Sequence, residues 1–163
     1  MKNAGWLQDS DFVSAVGALP LVSVDLVLVN PERQLLLGLR RNAPARDWWF
    51  TPGGRVRKNE PFATCMERIA VSELGLPKAL LQSARLMGVW DHFYEDSAFS
   101  SEVSTHYVNL PHLLRLKRTL DVSVLPLDQH TAWRWQHAEV VADAEDVHPY
   151  VHFYAQWVAN HVL

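Results

Sequence analysis

Between Leu21 and Val29 the chain reads LVSVDLVLV, where apolar side chains follow one another too densely for a strand with one face in water. A strand of this kind is stable only with packing on both faces, so it predicts the middle of a layered domain. Asp25 is the exception inside it, because a carboxylate there is costly to bury unless a partner holds it. NPER then turns the chain into QLLLGLR, and the two strands are expected to pair as a hairpin.

The flanking segments supply the layers. Residues 7–17, LQDSDFVSAVG, carry Leu7, Phe12, Val13 and Val16 at helical spacing, which predicts a leading helix capped at Gly17. WWFTP reads as a short strand and GGRVRKNE as a glycine-led basic loop. Pro61 suits the first turn of a helix running to Leu74 and stopping at Gly75, with Phe62, Met66, Ile69 and Val71 on its apolar face. SARLMGVWDHFYED, EVSTHYVNL and QHTAWRWQ are strand-like; Pro111 predicts an edge or a bulge, and Pro149 opens a closing helix. Strands with helices before, between and after them predict an α/β architecture. At 163 residues and 48% hydrophobic content, the core is sufficient for one domain, residues 1–163.

Charge and cysteine content narrow the functional classes. A net charge of −3 supplies no global positive field for long nucleic acid, whereas a small anionic ligand needs only a local cluster. The single cysteine, Cys65, has no intramolecular disulfide partner, which fits a reducing compartment, and reads as a small core residue. No apolar run reaches membrane-spanning length and none follows the N-terminal lysine, so the expectation is a soluble, cytoplasmic protein without a membrane partner.

A glycine-rich segment entering a helix presents backbone N–H groups and the positive end of the helix dipole to phosphate oxygens, and Arg55, Arg57 and Lys58 add charge there. From Gly54 the spacing runs five residues to Glu60, seven to Arg68, and on to Glu73-Leu74-Gly75-Leu76. This resembles the Nudix box, G-x5-E-x7-R-E-U-x-E-E-x-G-U, and implies a Nudix fold, an α/β/α sandwich around a mixed β-sheet. Two carboxylates of the box are absent, since Ile69 and Ser72 stand where the family usually has glutamate. In ordinary Nudix hydrolases those acids hold the magnesium ions that support attack at phosphorus.

The chain is similar to one branch with the same kind of departure, the GDP-mannose mannosyl hydrolases. PLVSVD, LLLGLRRNAP, WWFTPGGRV, MGVWDHFYED, STHYVNL, DQHTAWRW and DVH carry the likeness over most of residues 20–150. It implies water attack at the anomeric carbon of GDP-mannose, or GDP-glucose, with inversion and departure of GDP. It also implies a homodimer and one magnesium ion held by Glu73, the Gly53 carbonyl and the side-chain oxygen of Gln129. A single such ion keeps several waters or phosphate oxygens, so few protein ligands suffice.

The same resemblance assigns Arg40, Arg55 and Arg68 to the leaving diphosphate, for which a planar, permanently charged fork is suited. Tyr107 is expected to donate to phosphate, His92 to contact substrate or leaving group, and Asp25 to lie against the sugar or an arginine. His130 is the expected general base, with an ordinary pKa near 6.5 that suits proton removal from water. Trp6 is expected to help enclose guanine, while most of the other tryptophans read as core and Arg57 as solvent-facing. His148 and His152 have the i, i+4 spacing of a metal pair, but no third ligand accompanies them. Two other readings stay open: a pyrophosphatase releasing GMP and sugar 1-phosphate, and a nucleotide-sugar binding module without catalysis.

Overall fold

In the computed structural model, which describes residues 7–162, the apolar run forms β1 (Leu21–Val29). Every position from Ser23 to Val29 is buried. β1 runs parallel to β7 (Thr105–Arg115) in unbroken register from Leu21 opposite Tyr107 to Val29 opposite Arg115. Its other edge is shared. β4 (Gly53–Arg55) pairs antiparallel along Ser23 to Asp25, and β2 (Gln34–Arg40) pairs antiparallel at Val29 opposite Leu35. Beyond that point β2 takes β8 (His130–His137) and β3 (Trp49–Phe50) as partners. β5 (Arg85–Leu86) and β6 (Trp90–Tyr94) complete the eight-stranded mixed sheet on the outer side of β7.

Alternation along β1 divides the core in two. Val24, Leu26 and Leu28 point to one face and pack with Leu36, Trp133 and the buried side of α2 (Phe62–Leu74). Val27 and Val29 point to the other, against Leu37, Val141 of α3 (Ala138–Val141), and Val151, Tyr154 and Val158 of α4 (Pro149–His161). Each fully buried leucine contributes about 2 kcal/mol by removing its side chain from water, which is why both faces must be covered. α1 (Asp9–Ala18) sets Phe12 and Val16 into the fold. Among the described residues no helix is long and apolar enough to cross a membrane.

Several expectations from the sequence are corrected. Gly17 lies inside α1, whose C-cap is Leu19 with its N–H on the Ala15 carbonyl. The hairpin exists only at its turn, because β2 finds more partners in β8 than in β1. The glycine-led loop begins as a strand, β4, held by β1. Pro61 is the N-cap of α2, one residue before the helix. Phe62 and Val71 are exposed, and Cys65, Ile69, Ala70 and Leu74 form the buried face instead. Pro111 lies within β7, where its absent N–H falls at the break between β5 and β6 and its carbonyl accepts from Met87 N at 2.9 Å. Gly75 ends α2 in the left-handed region at φ 62°, as its place in the sequence predicts.

Candidate active site

The sheet opens where β1 is paired with β4 and β2 has moved away, and here two spaces meet. An inner chamber of about 80 Å³ lies over Asp25, His92, Tyr94 and Asn109. An outer cleft of about 690 Å³ is lined by Glu73, Gln129, Phe12, Phe99 and a set of arginines. Arg40, Gly53, Gly54, Arg55 and Tyr107 line both, so the two are continuous.

The outer cleft is cationic within a chain of net charge −3: Arg40, Arg46, Arg55, Arg57 and Arg68 all reach its wall. Arg57 is therefore part of the cleft, not a purely solvent-facing residue. Arg40, at the end of β2, is oriented by its Nε, which donates to the Pro44 carbonyl at 3.0 Å. The Arg55 guanidinium lies 4.9 Å from the ring centre of Phe12, and partial burial lowers its pKa. Arg68 is placed differently from the expected leaving-group contact. Its fork is engaged by Glu60, Nε to Oε1 at 2.7 Å and Nη2 to Oε2 at 2.9 Å, and Nη2 also donates to the Arg55 carbonyl at 3.0 Å. Arg68 thus braces β4 and the loop after it, and lines the cleft with what remains of its charge.

Glu73 is the acid that α2 delivers to this wall. Ile69 is fully buried in the core, and the Ser72 hydroxyl donates to the Arg68 carbonyl at 2.7 Å. Burial pushes the Glu73 pKa up to about 7, against the pull of Arg40 and a backbone hydrogen bond at Gly53. Its Oε2 is buried with no hydrogen-bond partner, an arrangement that a bound cation would relieve. Gly53 and Gln129 line the same cleft, and the Gln129 side-chain oxygen accepts from Asn42 Nδ2 at 3.3 Å. A carboxylate, a carbonyl and an amide oxygen are hard donors of the kind magnesium takes, so the residues fit that ion. Among the described residues no group of three or more His, Cys, Asp and Glu side chains forms a metal centre.

His130 does not line either space. It is fully buried at the start of β8, with its ring 4.3 Å from that of Trp133 and its Nδ1 4.0 Å from Glu73 Oε2. Burial, with Arg40 nearby, pushes its pKa down to about 3, and both ring nitrogens lack hydrogen-bond partners. The expected base therefore sits behind the metal-ligand candidate and out of contact with the cleft.

The inner chamber is built on buried polar groups. Asp25 is 6% exposed, and burial raises its pKa to about 6, opposed by hydrogen bonds from Tyr154 and Asn109 and by the charge of Arg40. His92 is stacked on Tyr150 at 3.9 Å, and its pKa falls to about 3 through burial and the nearby His148. Tyr107 and Tyr94 keep their phenol protons, because burial raises both pKa values. Any side chain at Gly53 would close the junction, since a Cβ there would lie 2.1 Å from Asp25 Oδ1.

The structure thus brings together Asp25, Arg40, Gly53, Arg55, Glu73, His92, Tyr107 and Gln129, with Arg68 as a brace and His130 set apart. Trp6 lies outside the described residues. His148 caps α4 by accepting from Tyr150 N at 3.3 Å, and His152 Nε2 lies 3.0 Å from the Ala144 carbonyl, so the two are not a metal pair. Sequence reasoning missed Asn109, Ser23, Tyr94 and the aromatic pair Phe12–Phe99. Ser23 and Asn109 carried a signal, as polar residues within strands that are otherwise apolar.

Comparison with known proteins agrees with this architecture. The NUDIX domain model matches residues 19–157. The low-salt glycan biosynthesis protein Agl8 of Haloferax volcanii is 37% identical over 151 residues, covering 91% of this chain and 88% of that protein. The NUDIX domain of Shewanella oneidensis NrtR, solved with ADP ribose, superposes with a TM-score of 0.65 at 12% identity, covering 96% of this chain and 100% of that one. The E. coli dihydroneopterin triphosphate pyrophosphohydrolase gives a TM-score of 0.65 at 17% identity, covering 86% and 94%. With the family model spanning nearly the whole sheet and the cleft built on its glycine segment and helix, the chain belongs to the NUDIX domain family of hydrolases.

Proposed function

We propose that the chain hydrolyses a GDP-hexose, with GDP-mannose the first candidate and GDP-glucose the second, to GDP and the free sugar. Water attacks the anomeric carbon with inversion. The observation that carries this reading is that α2 offers the cleft one carboxylate, Glu73, because Ile69 is core and Ser72 is tied to its own helix. That helix is poorly equipped for the acid-rich metal site of phosphorus chemistry, while the arginines suit a departing diphosphate and the polar chamber suits a hexose. The name of the Haloferax volcanii relative, a glycan biosynthesis protein, is in keeping with a nucleotide-sugar substrate.

Each residue has a part in this reaction. Arg40 and Arg55 bind the diphosphate, and Tyr107 donates a hydrogen bond to it. Glu73, the Gly53 carbonyl and Gln129 would hold magnesium, which when bound neutralises charge on the leaving group. His92, Tyr94 and Asn109 hydrogen-bond sugar hydroxyls. With His130 enclosed, Asp25 is the carboxylate that lines the chamber and so the group placed to take the proton from water. Trp6 would contribute to the guanine site and a homodimer would be the working form, checked by light scattering on the purified protein.

The test is product analysis after incubation with GDP-mannose in ¹⁸O-water, with and without magnesium. GDP and labelled mannose, formed only with the metal, support attack at carbon. GMP and mannose 1-phosphate with label on phosphorus overturn it, and tight binding without turnover identifies a binding module.

A further inference from the structure

Tyr154 lines neither the chamber nor the cleft, yet the chamber's polar wall depends on it. It is fully buried on α4, and its hydroxyl lies 2.7 Å from Asp25 Oδ2, 2.8 Å from Asn109 Oδ1 and 3.2 Å from His92 Nε2. Three residues from three strands, β1, β7 and β6, therefore meet at one oxygen supplied by a helix. The alternation of β1 explains the meeting. Asp25 shares the face of Val27 and Val29, which is the face α4 covers.

We infer that Tyr154 is the positioning residue for Asp25 in the proposed reaction, its hydroxyl fixing the carboxylate from behind the chamber. The inference rests on the proposed reaction, in which Asp25 lines the chamber that takes the sugar. A carboxylate rotates about a broad, nearly two-fold torsion, so an unheld one samples orientations in which neither oxygen faces the chamber. Here Oδ2 accepts from Tyr154, while Oδ1 lies on the Gly53 side, at the junction of chamber and cleft. Tyr154 carries a single hydroxyl proton, for which Asp25 Oδ2 and Asn109 Oδ1 compete. Asn109 is held in turn by donating from Nδ2 to Ser23 Oγ at 2.9 Å. A phenylalanine would fill the same space beside Trp90, whose ring centre is 5.8 Å away, so the hydroxyl serves the polar wall and not the packing.

The test is steady-state kinetics of Tyr154→Phe, Asp25→Asn and the double variant on GDP-mannose, with Trp90→Phe as a control that alters the packing around the same ring. Tyr154→Phe is expected to lower kcat about tenfold with KM changed less than about twofold, the size expected for one hydrogen bond to a charged group. In the Asp25→Asn background the same change should have little further effect, and Trp90→Phe should leave kcat as it was. Equal losses from Tyr154→Phe with and without Asp25 would overturn the inference, as would a rise in KM alone, a parallel loss in Trp90→Phe, or a Tyr154→Phe protein that does not fold. The bond cleaved is read separately. Release of GMP by the unaltered chain would overturn the proposed reaction while the cycle still decided Tyr154, and absence of turnover would overturn both.

Discussion

Gly53 shows how a single atom can decide whether this cleft exists. A Cβ there would sit 2.1 Å from Asp25 Oδ1 and 2.8 Å from the Val24 carbonyl. Gly53→Ala is expected to displace Asp25 and β4 together, costing about 1–3 kcal/mol in urea denaturation and lowering kcat about a hundredfold. A variant with unaltered kcat would show that Asp25 need not stand where it does. Glu60 gives a prediction in pH. The hydrogen bonds of Arg68 hold its pKa down at about 2, from an ordinary value of 4.5, so the pair stabilises fully above pH 4.5 and the benefit is lost as pH falls through about 2. Glu60→Gln should cost about 2 kcal/mol at pH 7, and its gap from the unaltered chain should close on acidification. Glu60 and Glu73 are marked in the sequence by the box spacing, and Gly53 and Arg40 by the wider resemblance outside it. The enclosure of His130 could not be, because it depends on Gly38 and Trp133, brought against the ring by the pairing of β2 with β8.

At the scale of the element, α2 combines what the sequence displays with what it hides. Its stop at Gly75 and its buried Cys65 follow from local chemistry, and both are found. Apolar spacing points to Phe62 and Val71 as part of the inner face, yet both are exposed, since hydrophobicity alone does not say which stripe the sheet will cover. The correct stripe, with Ile69 at its centre, accounts for one of the two absent acids, while Ser72 lies outside it on the exposed side. Ile69→Glu should cost about 4 kcal/mol or more and leave little soluble protein, because it places a charge among Val24, Leu26 and Leu28. Ser72→Glu lies on the exposed cleft wall and should alter stability by about 0.5 kcal/mol or less. Thermal denaturation with magnesium extends the comparison: the metal should raise the Tm of the unaltered chain, more in Ser72→Glu, and not in Glu73→Gln. An equal rise in Glu73→Gln would place the metal elsewhere.

Over the whole molecule, the dense run in β1 and the Pro149 helix were enough to foresee a sheet covered on both faces, because burial on both sides leaves a local pattern. The order of strands was not foreseeable in the same way. β4 is three residues long, and its place beside β1 depends on partners far away in the sequence. One consequence of the assembled fold is electrostatic. The chain is acidic overall, yet the fold gathers Arg40, Arg46, Arg55, Arg57 and Arg68 along one cleft, so an anionic substrate meets a field that net charge would not predict. The cleft is open to solvent, and at about 0.1 M salt exposed charges are screened beyond roughly 10 Å. The chamber groups are buried and screened much less. Raising salt from about 20 to about 300 mM should therefore increase KM for the nucleotide sugar several-fold while kcat holds steady, measured with the metal concentration fixed. A fall in kcat at constant KM would mean that the arginines act on the transition state alone, and that capture of the substrate is left to the base and the sugar.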